Sequence, residues 1–146
     1  MNFTRYDEHN RPGPEEKKAM ATFLFQHLEH FGDAVEDIEK AINYAIRETD
    51  SPGGFVLRSM HDDEITCVVV VAQTGMTGFV PENLLVYIAT HKGYRGRGIG
   101  KKMMQLAMET AKGNIALHVE PSNPAKGLYE KLGFTNKYLE MRYIKK

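Results

Sequence analysis

The stretch Tyr94-Arg95-Gly96-Arg97-Gly98-Ile99-Gly100-Lys101-Lys102 decides how the rest of this chain is read. It follows an apolar, strand-like run from Leu84 to Thr90 and opens a helix-like run from Ile99 to Lys112. A glycine-rich turn between a strand and a helix leaves backbone N–H groups unpaired at the helix N-terminus, where the helix dipole is positive. Arg95, Arg97, Lys101 and Lys102 crowd the same turn, so it suits a phosphate or pyrophosphate. An ordinary connection with solvated charges is the plainer reading, and glycine at alternate positions inside a basic cluster weighs against it.

Two phosphate motifs fail here. A P-loop needs G-x-x-x-x-G-K followed by Ser or Thr, yet Arg95 stands where the first glycine belongs and Lys102 where the hydroxyl belongs. A dinucleotide fingerprint, G-x-G-x-x-G, would need glycine in place of Lys101, and several further βα units downstream. The pattern that fits is R-x-x-G-x-G, as Arg95-x-x-Gly98-x-Gly100. Downstream, a strand-like run Ile115 to Val119 precedes Asn123-Pro124-Ala125-Lys126-Gly127-Leu128-Tyr129-Glu130-Lys131-Leu132-Gly133-Phe134. Locally, Ser122 or Asn123 suits a helix cap, Pro124 its first turn and Gly133 its end. In that order the two blocks resemble the GNAT N-acetyltransferase superfamily, whose second block is commonly N-x-x-A-x-x-L-Y-x-x-L-G-F. Ala125 falls one place early here, and Lys92-Gly93 replaces a common proline and acidic residue.

The resemblance implies an α/β (α+β) acyl-CoA acyltransferase fold: a mixed, mostly antiparallel sheet flanked by helices, with the strands before and after the phosphate-loop helix splayed apart. It implies acetyl-CoA as cosubstrate, held by Arg95, Gly96, Arg97, Gly98, Ile99, Gly100 and Lys101. Backbone groups of Ile88 and Thr90 would pair with the pantetheine arm, and one amide near Ile88 would polarise the thioester. Asn123 would reach the same arm, unless it is only a cap. Transfer would go by direct attack of a primary amine in a ternary complex. Tyr129 would protonate the leaving thiolate. A primary amine with a pKa of about 10 is charged near neutral pH, so a base is required. His118 is one candidate, with an unperturbed pKa close to neutrality, and Glu82 is the other. A lone strand histidine and a loop carboxylate are also common without any catalytic part. The second functional reading is a CoA or acyl-CoA sensor without turnover.

Composition sets the bounds. The 146 residues are expected to form one domain with a real core, residues 1–146. Lys and Arg number 19, as do Asp and Glu, so no global field favours nucleic acid. The single cysteine, Cys67, excludes an internal disulfide and fits a reducing cytoplasm; it reads as a buried space-filler. The polar start carries no secretory signal, and no apolar run approaches the roughly 18 residues that span a bilayer. The expected partners are therefore acetyl-CoA and an amine acceptor, either a small molecule or a protein amine. A homodimer stays open; nucleic acid, membrane and metal are not expected.

Around these blocks the chain reads as a short strand Asn2 to Tyr6 and a helix from Pro14 to His30 that stops near Gly32. Asp33 is placed to cap a second helix, Ala34 to Glu48, with Val35, Ile38, Ala41, Ile42, Ala45 and Ile46 on one stripe. Phe55 to Met60 and Ile65 to Ala72 read as a hairpin turning at His61-Asp62-Asp63, with Val68 to Val71 covered on both faces. A terminal hairpin is expected from Phe134 to Ile144. Phe23, Phe25, Tyr44, Met76 and Phe79 offer apolar walls for an acceptor, and Asp62, Asp63 and Glu64 offer negative charge.

Overall fold

A computed structural model describes residues 2–146. The chain order is β1 (Asn2–Tyr6), α1 (Pro14–Leu28), α2 (Val35–Ala45), β2 (Gly54–His61), β3 (Glu64–Gln73), β4 (Asn83–Thr90), α3 (Ile99–Thr110), β5 (Ile115–Leu117) and α4 (Ala125–Lys131). Short 3-10 turns occupy Glu29–Phe31 and Lys92–Tyr94. The five strands lie side by side in chain order, antiparallel except for the parallel pair β4–β5. This is the mostly antiparallel, helix-flanked sheet that the two sequence blocks imply.

Side-chain alternation along β3 builds a core on each face of the sheet. Val68 and Val70 point toward α1 and α2, joining Met20, Leu24, Ile38 and Ile42 in one buried cluster. Cys67, Val69 and Val71 point the other way, onto Met103, Met104 and Ala107 of α3 and Tyr129 of α4. The continuously apolar run is thus buried on both sides. In α1 the buried residues Met20, Phe23, Leu24 and His27 recur at helical spacing, and Glu16 accepts the Gly13 N–H at 3.0 Å to close the first turn.

Two local expectations are corrected. Asp33 does not cap α2; Ala34 occupies that position, and the Asp33 carboxylate instead accepts the Tyr87 hydroxyl from β4. Tyr87 is buried, so its hydroxyl needs a partner, and that demand outweighs the cap. The terminal hairpin is likewise absent: Phe134 to Lys146 carry neither helix nor strand. Gly133, at φ 103°, ends α4 with paired bonds from its own N–H to Glu130 and from Phe134 N–H to Tyr129. The chain beyond then leaves the sheet, and β5 offers a receiving edge only three residues long. Tyr138, Leu139, Met141, Tyr143 and Ile144 stand exposed along this arm. Burying one such side chain contributes about 1.5–3 kcal/mol. The arm as folded here leaves on the order of 10 kcal/mol unrealised, comparable with the net stability of a whole domain.

The cluster under α2 sets the stability of the α1–α2 layer. Ile42, fully buried between α2 and the sheet, is expected to cost about 2–5 kcal/mol when cut to alanine. Urea denaturation with an unchanged slope checks this, and a loss under 1 kcal/mol would mean that α2 is not part of the cooperative core.

Candidate functional site

The site begins where β4 and β5 part. Their parallel pairing covers Asn83 to Leu85 against Ile115 to Leu117 and then stops. At that point β4 carries a bulge: Val71 pairs with Leu85 and Val70 with Tyr87, leaving Val86 as an extra residue. Beyond it, the His91 N–H donates to Thr66 O on β3 at 2.8 Å. By the alternation of an antiparallel ladder, Ile88 and Thr90 therefore turn their N–H and C=O groups to the open edge. The Thr90 carbonyl accepts Arg95 Nε at 3.2 Å. The Ile88 groups and the Thr90 N–H have no partner among the described residues.

β4 leads directly into the glycine-rich turn. Gly96 and Gly98 both take φ 80°, and a Cβ added at either would meet nothing within 4 Å. The backbone conformation, rather than crowding, is what calls for glycine there. The first N–H of α3 with a partner is that of Lys102, donated to Gly98 O at 3.1 Å. Those of Gly96 to Lys101 have none among the described residues. This is a run of unpaired donors at a helix N-terminus, the chemistry an anionic phosphate requires. Gly100 is a different case: a Cβ there would sit 3.3 Å from Thr90 Oγ1, so it keeps the helix start close to the strand end.

The four basic side chains of the turn divide. Arg95, though half-exposed, reaches back to α1, donating from Nη2 to His27 O at 2.9 Å and lying 3.5 Å from the Glu29 carboxylate. Its guanidinium therefore clasps the end of α1 to the end of β4. Arg97 lies over the Tyr94 ring at 5.0 Å and stays exposed with Lys101 and Lys102.

Tyr129 lies on α4 within the second apolar cluster, against which Ile88 also packs. Burial, with a smaller contribution from the neighbouring Cys67, pushes its phenol up to about 12, so it holds its proton at neutral pH. Its hydroxyl makes no hydrogen bond among the described residues, yet it is not sealed from solvent. Cys67 accepts from Thr90 Oγ1 at 3.8 Å, and burial raises its thiol to about 12. A neutral, enclosed thiol is no nucleophile. Asn123 Oδ1 accepts the Ala125 N–H at 2.9 Å, which places Asn123 at the start of α4 with its amide nitrogen unengaged.

The two candidate bases fall far apart. Ile115, Leu117 and Val119 turn toward the second cluster, so alternation puts Ala116 and His118 on the opposite, α2-side face. His118 is exposed there, beyond the last β4–β5 pair. Glu82 lies at the other end of β4, six residues before Ile88, or about 20 Å along an extended strand. Its carboxylate accepts Asn114 N–H at 2.7 Å and Gly78 N–H at 3.2 Å. Those bonds, Asn114 first, hold its pKa below the ordinary carboxylate value. Both oxygens tie loops together, so the geometry does not favour Glu82 as a proton acceptor for amine attack.

Two grooves lie on the α1–α2 side. One, about 370 Å³, runs beside the bulge and is lined by Lys40, Ala41, Tyr44, Gln73, Leu84 and Val86. The other, about 840 Å³, lies between α1 and the β2–β3 hairpin and includes Phe23, Asp63 and Glu64. Of the apolar walls expected from sequence, Tyr44 lines the first and Phe23 the second. Phe25, Met76 and Phe79 face solvent. Asp62 is exposed and pairs with His61 at 3.3 Å.

One contributor had little signal in the sequence. His27 is buried at the end of α1, and its Nδ1 accepts the Lys92 N–H at 3.3 Å, just before the glycine-rich turn. Its ring centroid lies 4.5 Å from that of His91. Only its place on the buried stripe of α1 hints that it is interior; contact with the turn is a product of packing.

Among the described residues, no group of three or more His, Cys, Asp or Glu side chains is arranged to hold a metal ion, and no helix is long and apolar enough to cross a membrane. A strand edge with unpaired groups running into unpaired loop amides is an arrangement that suits an extended, anionic ligand. The acetyltransferase (GNAT) domain model matches residues 54–136, and the chain belongs to that family. No curated protein matches the chain by sequence. An aminoglycoside antibiotic 6'-N-acetyltransferase from Acinetobacter haemolyticus is 15% identical over 100% of this chain and 99% of that one, with a TM-score of 0.72. A transcriptional regulator from Bacillus halodurans C-125 is 18% identical over 98% of this chain and 99% of that one, at 0.69. An aminoglycoside N-acetyltransferase in complex with CoA is 12% identical over 99% of this chain and 93% of that one, at 0.69. At these identities the likeness is one of fold.

The His27 geometry predicts a pH dependence. Burial first, then the His91, Arg95 and Lys92 charges, holds its pKa below the ordinary 6.5. Above that value the ring is neutral in both folded and unfolded chains. Below it, the unfolded chain takes up the proton first, so stability falls with pH. His27→Gln is expected to flatten the decline in urea midpoint between about pH 6.5 and pH 5, a window above most carboxylate titration. An equal decline in both proteins would remove His27 from the acid response.

Proposed function

We propose that this chain is an acetyl-CoA-dependent N-acetyltransferase that moves an acetyl group to a primary amine by direct attack, without an acyl-enzyme. The observation that carries the reading is the continuity of donors: the unpaired Ile88 and Thr90 N–H groups leading into the unpaired amides Gly96 to Lys101. A pantetheine arm can add to such an edge as a further strand, with its pyrophosphate on the loop. Arg97 and Lys101 add positive charge at the mouth. Arg95 acts from behind, by holding the turn against α1.

In the proposed reaction the amine nitrogen attacks the thioester carbonyl carbon, and the Ile88 N–H stabilises the oxyanion that forms. The carbon–sulfur bond then breaks. Tyr129, still protonated at neutral pH, donates its proton to the departing thiolate. The amine's proton goes to His118, directly or through water, from the α2-side face where an acceptor enters. The Asn123 amide is free to donate toward the arm while its oxygen caps α4. Glu82 is assigned to anchoring the loops at the far end of β4.

The acceptor class is open to a direct test. Free-thiol release from acetyl-CoA is measured across lysine peptides, polyamines, aminoglycosides and amino acids. Amine-dependent release is the expected result and names the class. Silence with acetyl-CoA still raising the melting temperature favours a CoA-sensing module. Silence with no thermal shift overturns the loop assignment. With an active acceptor in hand, Tyr129→Phe is expected to lower kcat by about 10²-fold or more while leaving acetyl-CoA affinity unchanged. An unaltered chemical step would take Tyr129 out of the reaction.

A further inference from the structure

Two imidazoles hold the amides that lead into the glycine-rich turn. His91 caps the 3-10 turn Lys92–Tyr94: its Nδ1 accepts the Gly93 N–H at 2.9 Å, and its carbonyl accepts the Tyr94 N–H at 2.9 Å. His27, from the end of α1, accepts the preceding amide, Lys92 N–H, on its own Nδ1 at 3.3 Å. The two ring centroids lie 4.5 Å apart. The His91 ring also meets Tyr94 edge-on at 5.3 Å, and Arg97 lies over Tyr94 at 5.0 Å. A line of contacts thus runs from the buried end of α1 to a charged side chain of the turn.

A ring nitrogen that accepts an N–H carries no proton, so both neutral rings hold theirs on Nε2. In His91 that nitrogen lies 3.4 Å from the Glu64 carboxylate of β3. A second proton has only Nδ1 to occupy, where it would meet an amide hydrogen already in place. One proton on His91 therefore breaks the Gly93 bond, and one on His27 breaks the Lys92 bond. Charge on either ring disfavours charge on the other. His27 is the poorer host, being buried with Lys92 and Arg95 near it and Glu29 opposing them. His91 is partly exposed and has Glu64 beside it. From the hairpin turn, His61 meets Tyr94 at 5.8 Å and pairs with Asp62. The groove that His91 borders sets Glu15, Glu16 and Asp63 against Lys18 and Arg58. His91 is thus the ring on which a proton settles.

We infer, resting on the acyl-CoA reading of this turn, that His91 positions the turn only while neutral, and that its protonation weakens binding of the donor's pyrophosphate. Asparagine and aspartate commonly cap such turns, and neither changes charge near neutral pH. Histidine does the same work through a bond that one proton removes. The sign separates this from plain electrostatics. A positive charge added beside an anion site tightens binding as pH falls, whereas loss of the Gly93 bond loosens it. By linkage, a bound pyrophosphate in turn disfavours the proton.

The test is calorimetric titration of the full chain with dephospho-CoA, which keeps the pyrophosphate but lacks the ribose phosphate that titrates in the same range. Circular dichroism at each pH keeps binding apart from unfolding. The Kd is expected to rise about fivefold from about pH 7.5 to about pH 5.5 at constant ionic strength. His91→Ala is expected to weaken binding at both pH values. His91→Asn, whose amide oxygen can accept the Gly93 N–H without titrating, is expected to restore it and to lose most of the rise. Where a variant does not fold, proton balance on the native chain decides: release on binding near about pH 6 is expected, and uptake or none overturns the inference. A native Kd that stays level or falls with acid overturns it, as does an equal rise in His91→Asn. Absence of binding at every pH overturns the acyl-CoA reading itself, and the inference with it.

Discussion

The structure depends on the early end of the β4–β5 pairing. A parallel pair held to the end of β4 would consume the backbone groups of Ile88 and Thr90 in an ordinary ladder and leave no site. The bulge at Val86 prevents this by inserting one residue, which shifts the alternation of β4. Val86 and Tyr87 then both turn toward α1 and α2, while Ile88 joins the opposite cluster. An edge left open in this way is a liability for a sheet. Here it is flanked by a filled core on each face, so the open groups are held in place by packing on both sides of the strand.

The second constraint is the clasp around Arg95. One guanidinium joins the end of β4 at Thr90, the end of α1 at His27 and the Glu29 carboxylate. Lys92 adds a second contact to Glu29 at 3.3 Å, and its N–H bonds to the buried His27 ring. The glycine-rich turn is flexible by composition, yet its entry is anchored to a core helix at several points. A loop whose donors are already aimed loses less freedom on binding an anion than one that must first be ordered. The same anchoring links the glycine-rich turn to the helix that borders the larger groove.

Much of this was legible along the chain. The fold class followed from the apolar runs and from the two motif blocks, because strand and helix periods are local properties of sequence. Gly96 and Gly98 were legible for the same reason, since a left-handed turn favours glycine whatever surrounds it. Tyr129 could be singled out from its motif, though its raised pKa arises from burial against α3 and the sheet. Glu82 and Asp33 show the limit. Each carried a plausible local role, a base or a helix cap; Glu82 instead accepts two exposed loop amides, and Asp33 accepts the hydroxyl of the buried Tyr87.

The sequence by itself determined the order of elements, the two-faced burial of β3, the glycine-rich turn and the place of Tyr129 on the last helix. These rest on interactions within a few residues, or on periodicities that a single strand or helix enforces. Only the tertiary structure decided that Arg95 reaches back to the His27 carbonyl, that Glu82 is tied to Asn114, and that His118 lies exposed on the α2-side face. It also decided that the residues after Phe134 stand off the sheet. Those outcomes join residues distant in the chain, and they follow from which polar groups packing leaves unpaired.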